Sequence, residues 1–230
     1  MKENPIPEAR EFPYVINDMT WAQKHGYGTD MQRALAKLRK TDPNQRYFRG
    51  LPANRREAAL DAANGSKPLN VTAKTPDGML FQRSPEGCQS EADRKLYGDL
   101  RKWFQAKVTV DTLAEIKRTR VLGDPRFAEA VKPWAACMRA AGHPYAGPAQ
   151  LRAKLPPPND PLPRKEEIRL AVAEARCAMS SGLARTSSEL DEYYAEKLEK
   201  QYRSDVETRR QLQVSALPRA HSITRTDSST

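Results

Sequence analysis

Three cysteines and three histidines are the side chains of this 230-residue chain best suited to bind a metal or attack a substrate. They are Cys88, Cys137 and Cys177, with His25, His143 and His221. None of them shows the C-x-x-C or H-x-x-x-H spacing from which zinc sites are built. The sequence therefore predicts no metal site.

Two other kinds of sulfur chemistry fit the spacing. Cys137 lies six residues before His143 and could in principle use it as a base, but Cys137 falls on the same predicted helix face as Trp134 and Met138. A thiol on a buried apolar face is usually inert. A disulfide to Cys177 and two buried, reduced cysteines both remain open, and a disulfide would require an oxidising compartment.

The common catalytic and cofactor-binding motifs are absent from the sequence. There is no Gly-rich phosphate loop, no G-x-S-x-G, no H-E-x-x-H and no clustered set of Asp and Glu. The acidic residues mostly alternate with basic ones along predicted helices, which is typical of solvated surface. We therefore predict a protein that is not an enzyme and uses no cofactor.

The elements that carry these residues are predicted to be helical. Apolar residues make up 38% of the chain and recur every three or four positions, which favours an all-α, bundle-like fold with an irregular, loop-rich N-terminal third. "KVTVDTL" at 107–113 is the only good strand-like run. A helix is predicted to begin at the Asp124 cap and to end at Gly142, and five prolines in 155–163 predict a stiff extended connector.

Three segments follow from this pattern. Residues 1–28 are predicted to be extended, 29–214 to form a single mainly helical domain, and 215–230 to be a disordered tail. The helix after the connector carries two apolar stripes on nearly opposite sides, so we expect two neighbouring helices to sandwich it. One stripe is Ile168, Ala171, Val172, Ala175 and Met179, and the other is Leu170, Ala173 and Cys177.

The net charge of +10 is concentrated in the first two-thirds of the chain. Residues 1–162 hold 27 basic and 18 acidic residues, an excess of nine. Such an excess favours polyanions such as nucleic acid, anionic lipid headgroups or acidic envelope polymers, although a solvated basic surface explains it as well. The candidate polyanion contacts are Arg101, Lys102, Lys117, Arg118 and Arg120.

The sequence predicts no membrane span, because no segment approaches about 20 consecutive apolar residues. The first residues, "MKENPIPEAREFPYV", contain no apolar signal core. Without a signal, a cytoplasmic location is the alternative to export, and together with the charge it motivates a basic nucleic-acid-binding protein as the alternative function.

Several blocks of the chain resemble a known group of proteins. "PWAACMRAAGHPY" followed by "EIRLAVAEARC" matches a W-x-x-C-M-x-x-x-G helix, a loop and a second helix ending in cysteine, and "GCQSEADRKLYGD" and "YVINDMTWAQKHGYG" match blocks upstream. Together these blocks, over most of 12–214, resemble mostly uncharacterised actinobacterial, Streptomyces-like exported proteins and lipoproteins. The core motif comprises Trp134, Met138 and Gly142.

The resemblance implies a disulfide between Cys137 and Cys177. It leaves Cys88 as an unpaired thiol, because the group carries a further C-M-x-x-x-G-F helix behind an export signal, and this chain lacks both. It also implies a non-catalytic protein of the cell envelope or the extracellular space, with a structural or partner-binding role. The partner would be an unknown protein or an anionic envelope polymer, and a cytoplasmic nucleic-acid binder is the alternative.

Overall fold

The fold is all-α and bundle-like, as predicted. The computed structural model describes residues 12–66 and 68–226, which form eleven helices and one two-stranded sheet. The elements in chain order are α1 Met19–His25, α2 Thr29–Thr41, α3 Pro43–Gly50, α4 Ala53–Asn64, β1 Val71–Lys74, β2 Leu80–Arg83, α5 Cys88–Tyr97, α6 Leu100–Leu122, α7 Pro125–Ala140, α8 Pro148–Lys154, α9 Arg164–Ser180, α10 Leu183–Gln201 and α11 Arg203–Thr226.

The chain folds into two compact units rather than the single domain predicted over 29–214. Among the described residues, the first unit takes 12–47 and 118–194, and the second takes the remainder. Helices α3, α6 and α10 each contribute residues to both units. Helical periodicity predicts which face of a helix is buried, but not the helix against which that face packs. The division into two units therefore cannot be predicted from the sequence pattern.

Helix α9 lies at the centre of the first unit and packs against both α1 and α7. Its two apolar stripes belong to two different clusters, as the sequence predicted. Ala171 and Ala175 pack with the α1 side in a small cluster, whereas Leu170 and Cys177 belong to a larger cluster with α7. Met179 departs from the prediction, because its side chain is 55% exposed.

Helix α7 begins and ends where the sequence indicates. The Asp124 carboxylate caps its first turn by accepting a hydrogen bond from the Arg126 backbone N–H at 2.8 Å. The side chain of Arg126 also donates to this carboxylate, which lowers the pKa of Asp124 below its ordinary range. Trp134 and Met138 are fully buried, and Gly142 follows the helix with a positive φ of 84°.

The N-terminal segment is more ordered than the extended chain predicted for 1–28. Residues 1–11 lie outside the described residues, but Met19–His25 form α1, which is capped by Asp18. Val15 and Ile16, in the extended stretch before that helix, are both buried in the first unit. Three prolines nearby and a length of only seven residues hide this helix from a periodicity argument.

The second unit contains the antiparallel hairpin of β1 and β2, in which Val71 lies opposite Arg83 and Lys74 opposite Leu80.

The strand-like run 107–113 is not a strand, because it lies inside the continuous helix α6. There Ala106 and Thr109 are buried, and Thr112 Oγ1 donates back to the Val108 carbonyl. Tertiary packing of α6 thus overrides the β-propensity of the run.

The tail predicted to be disordered from residue 215 is helical as far as 226, and residues 227–230 lie outside the described residues. Helix α11 packs against α5. Ala216 is buried, and Arg219 Nε donates to the Leu96 carbonyl at 2.7 Å. These contacts with a distant part of the chain stabilise a polar segment whose own composition indicates disorder.

Candidate functional site

A cavity of about 950 Å³ lies within the first unit. Its walls are mainly apolar and include four aromatic side chains of the N-terminal segment and one of α7: Phe12, Tyr14, Trp21, Tyr27 and Phe127. The volume falls within the range of about 300–1,000 Å³ that is typical of small-molecule sites. We therefore take this cavity as the candidate functional site.

The proline-rich connector forms another part of the wall. Pro156, Pro157 and Pro158 line the cavity, as do Leu155 and Leu162. Proline fixes φ and lacks an N–H group, so a run of prolines keeps its shape without a partner strand or helix. The segment predicted as a stiff connector between helices is therefore also a stiff wall of the cavity.

A fully buried carboxylate, Glu174 of α9, accepts hydrogen bonds from three residues that line the cavity. Its Oε2 accepts hydrogen bonds from the Tyr27 hydroxyl and from Arg152 Nη1, both at 2.7 Å. Its Oε1 accepts a 3.2 Å hydrogen bond from the Ile16 backbone N–H. One side chain thus joins the N-terminal segment, α8 and α9.

Burial and Glu174 together determine the charges of its two polar side-chain partners. Burial raises the pKa of the Tyr27 hydroxyl far above its ordinary value, and the Glu174 charge raises it further. Burial alone would lower the pKa of Arg152, but the adjacent Glu174 carboxylate raises it on balance. Tyr27 is therefore neutral and Arg152 is charged at physiological pH. The Arg152 guanidinium also lies 4.9 Å from the centre of the Tyr27 ring.

A second buried carboxylate, Glu167, holds the turn between α1 and α2. Its Oε1 accepts from the Tyr27 backbone N–H at 2.9 Å, and its Oε2 accepts from Thr29 Oγ1 at 2.6 Å. Arg164 lies one turn away on α9, 3.5 Å from Oε2, and donates to the backbone carbonyl of His25 at 2.9 Å. The loop that carries Tyr27 is therefore fixed to α9 by buried polar contacts.

Sequence reasoning missed both of these carboxylates, because it treated the acidic residues of the helices as solvated surface. One signal was available. Glu167 and Glu174 are seven residues apart, so they share a helix face with Ala171, which belongs to an apolar stripe. A carboxylate in line with an apolar stripe is a candidate for burial, and a buried carboxylate needs hydrogen-bond partners.

Gly26 meets a steric requirement of this network, and we expect Gly26→Ala to destabilise the fold. Its φ is +59°, and a Cβ at this position would lie 2.9 Å from Glu167 Cγ. We expect a loss of about 3 kcal/mol in the free energy of unfolding, from backbone strain and from displacement of Glu167. Urea denaturation monitored by circular dichroism measures it.

Gly142→Ala is the matched control for that substitution. Gly142 also has a positive φ, but a Cβ at this position would have no neighbouring atom within 4 Å, so only the backbone cost of about 1 kcal/mol applies. Equal losses for the two variants would contradict a specific role for Gly26 against Glu167.

The predicted disulfide is present. Cys137 of α7 and Cys177 of α9 are bonded, with their Cα atoms 5.6 Å apart, and Cys88 is a free, exposed thiol. The bond joins two helices that pack against each other, and Cys177 is buried within the larger apolar cluster. Among the described residues, no group of three or more His, Cys, Asp or Glu side chains is placed to hold a metal ion.

The five candidate polyanion contacts all lie on α6 but do not form one cluster within either unit. Arg101, Lys102 and Lys117 belong to the second unit, and Arg118 and Arg120 belong to the first. Arg101 donates to the Asn70 carbonyl at 2.9 Å. Arg118 lines the cavity, a role that the sequence did not indicate.

None of the helices in 12–66 or 68–226 combines the length and the apolarity that a membrane span requires.

No family model, no curated protein and no solved structure matches this chain.

Proposed function

We propose that this chain is a non-catalytic protein of the cell envelope or the extracellular space that binds a partner molecule in the cavity of its first unit. The observation that carries the proposal is the cavity itself, with walls of aromatic side chains and prolines backed by buried hydrogen bonds. Sites of this kind bind with little loss of conformational entropy, because their walls are ordered before the ligand arrives.

The polar groups around the cavity support binding rather than catalysis. Both oxygens of Glu174 and both oxygens of Glu167 accept hydrogen bonds from the protein. A general acid or base needs to reach a substrate proton at hydrogen-bond distance, whereas these carboxylates are engaged in holding loops and helices together.

The location part of the proposal is supported by the disulfide. A bond between Cys137 and Cys177 fits an oxidising compartment, because thiols in the cytosol are kept reduced. The resemblance to actinobacterial exported proteins and lipoproteins points the same way.

Nucleic-acid binding by a cytoplasmic protein is the second candidate, favoured by the exposure of Arg101 and Lys102. Trp103 does not add a stacking platform, since it is 4% exposed and stacks on Tyr97 at a centroid distance of 3.6 Å. Binding to DNA or RNA that does not weaken as salt rises would contradict this candidate, because phosphate contacts release counterions.

A cavity-blocking substitution tests the proposed function. Ala128 is exposed on α7 and lines the cavity, so Ala128→Trp places an indole at its mouth without replacing a core residue. We expect the neutral fluorescent probe N-phenyl-1-naphthylamine to bind the unaltered protein, and Ala128→Trp to weaken that binding at least tenfold. Probe fluorescence in a titration measures both.

Ala136→Trp is the matched control, because Ala136 is exposed on the same helix and does not line the cavity. It should bind the probe as the unaltered protein does. Absence of probe binding, or equal binding by the two tryptophan variants, would overturn the cavity as the functional site.

A further inference from the structure

We propose that the ligand of this cavity is an amphiphile with an apolar body and a single carboxylate head, and that Arg152 binds the head. This inference rests on the proposed function, since it specifies the ligand of the same cavity. Three observations carry it: the lining of the cavity, the orientation of Arg152 and the balance of charges on the wall.

The apolar lining of the cavity favours a ligand with an apolar body. Ile16, Leu122, Val131 and Leu162 line the cavity in addition to its aromatic and proline walls. Apolar surface of a ligand that contacts these walls leaves water, and its burial is favourable by about 25 cal/mol for each Å². A ligand that filled the cavity with polar groups would lose hydration without recovering hydrogen bonds from these walls.

The Arg152 guanidinium favours a ligand whose head group is a carboxylate. It lines the cavity, and its side chain is 32% exposed, whereas its partner Glu174 is fully buried. A guanidinium has five N–H donors, and the contacts with Glu174 and Tyr27 occupy only part of this set. The same contacts hold the guanidinium in one orientation. A pre-oriented guanidinium matches a carboxylate, which can accept two parallel hydrogen bonds.

The charged side chains of the cavity wall favour a ligand head with a single negative charge. Among the described lining residues, two guanidinium groups, those of Arg118 and Arg152, accompany one carboxylate, Glu167, whose two oxygens already accept hydrogen bonds from the protein. Aromatic walls can also hold a quaternary ammonium group, but two guanidinium groups oppose a cation here. Glu174 lies against Arg152, so its negative charge also opposes a dianionic head such as a phosphate monoester.

The experiment compares four amphiphiles that share one chain and differ in the head: dodecanoate, dodecanol, dodecyltrimethylammonium and dodecyl phosphate. Each is titrated, below its solubility limit and its critical micelle concentration, against the unaltered full chain with bound N-phenyl-1-naphthylamine, and displacement of the probe is measured. We expect dodecanoate to displace the probe at a concentration at least tenfold lower than dodecanol or either of the other two.

The variant Arg152→Lys tests whether the Arg152 guanidinium causes the preference for dodecanoate. Lysine keeps a positive charge beside Glu174 but loses the planar fork. We expect the preference for dodecanoate over dodecanol, taken as the ratio of the concentrations that displace the probe, to fall at least fivefold. Arg169→Lys, an exposed position on α9 outside the cavity, is the control and should leave the preference intact.

The possible failures are distinguishable. Equal displacement by dodecanol and dodecanoate, with probe binding still lost in Ala128→Trp, would overturn the carboxylate head and leave the proposed function standing. Tighter binding of dodecyl phosphate or the ammonium compound would also overturn it. No probe binding at all would overturn the proposed function. The comparison of heads uses the unaltered protein, so it decides the question even where Arg152→Lys fails to fold.

Discussion

Replacing both bonded cysteines, as Cys137→Ala with Cys177→Ala, is expected to lower the free energy of unfolding by about 4 kcal/mol. The bond closes a loop with a sequence separation of 40 residues, and the loop-closure entropy that it removes from the unfolded chain gives this magnitude. The loop contains all of α8 and the proline-rich connector, so the bond restrains two walls of the cavity. Urea denaturation of the two proteins measures the difference.

Cys88→Ala is the control for that loss, because Cys88 is exposed and unbonded. Its effect should stay within about 0.5 kcal/mol, as is usual for surface substitutions. A double variant as stable as the unaltered protein would contradict a stabilising role for the bond. Alkylation followed by intact-mass measurement adds a direct check, since one thiol should react before reduction and three after it.

Replacing Glu174 by leucine is expected to destabilise the protein by about 3–5 kcal/mol, the range typical of breaking a buried ion pair by removing one partner. The substitution leaves the Arg152 charge, the Tyr27 hydroxyl and the Ile16 N–H without their acceptor. Arg152 is partly exposed, so water compensates part of the loss, and we expect the lower end of the range. Chemical denaturation at neutral pH measures it.

Two further variants show whether the loss comes from the unpaired charge. Glu166→Gln, at an exposed position on the same helix, should change stability by less than about 0.5 kcal/mol. Adding Arg152→Met to Glu174→Leu removes the unpaired charge and should recover part of the stability. A loss below about 1 kcal/mol for Glu174→Leu would contradict the role of this carboxylate as the organiser of the site.

Local patterns were sufficient for much of the fold. The cap at Asp124, the glycine stop at Gly142 and the two stripes of α9 each depend on residues within a few positions of one another, so their physics can be read directly from the order of residues. The tail from 215 was predicted wrongly for the opposite reason. Its helical state depends on packing against residues far away in the chain.

The sequence by itself determined the helical class, the limits of α7, the connector and, through a resemblance, the pairing of Cys137 with Cys177. Only the tertiary structure decided the division into two units and the cavity. The bonds of Glu174 to Tyr27 and Ile16 span 147 and 158 residues. No periodicity extends over such a separation. A buried carboxylate and a solvated one look alike in sequence, and only the fold determines which groups surround them.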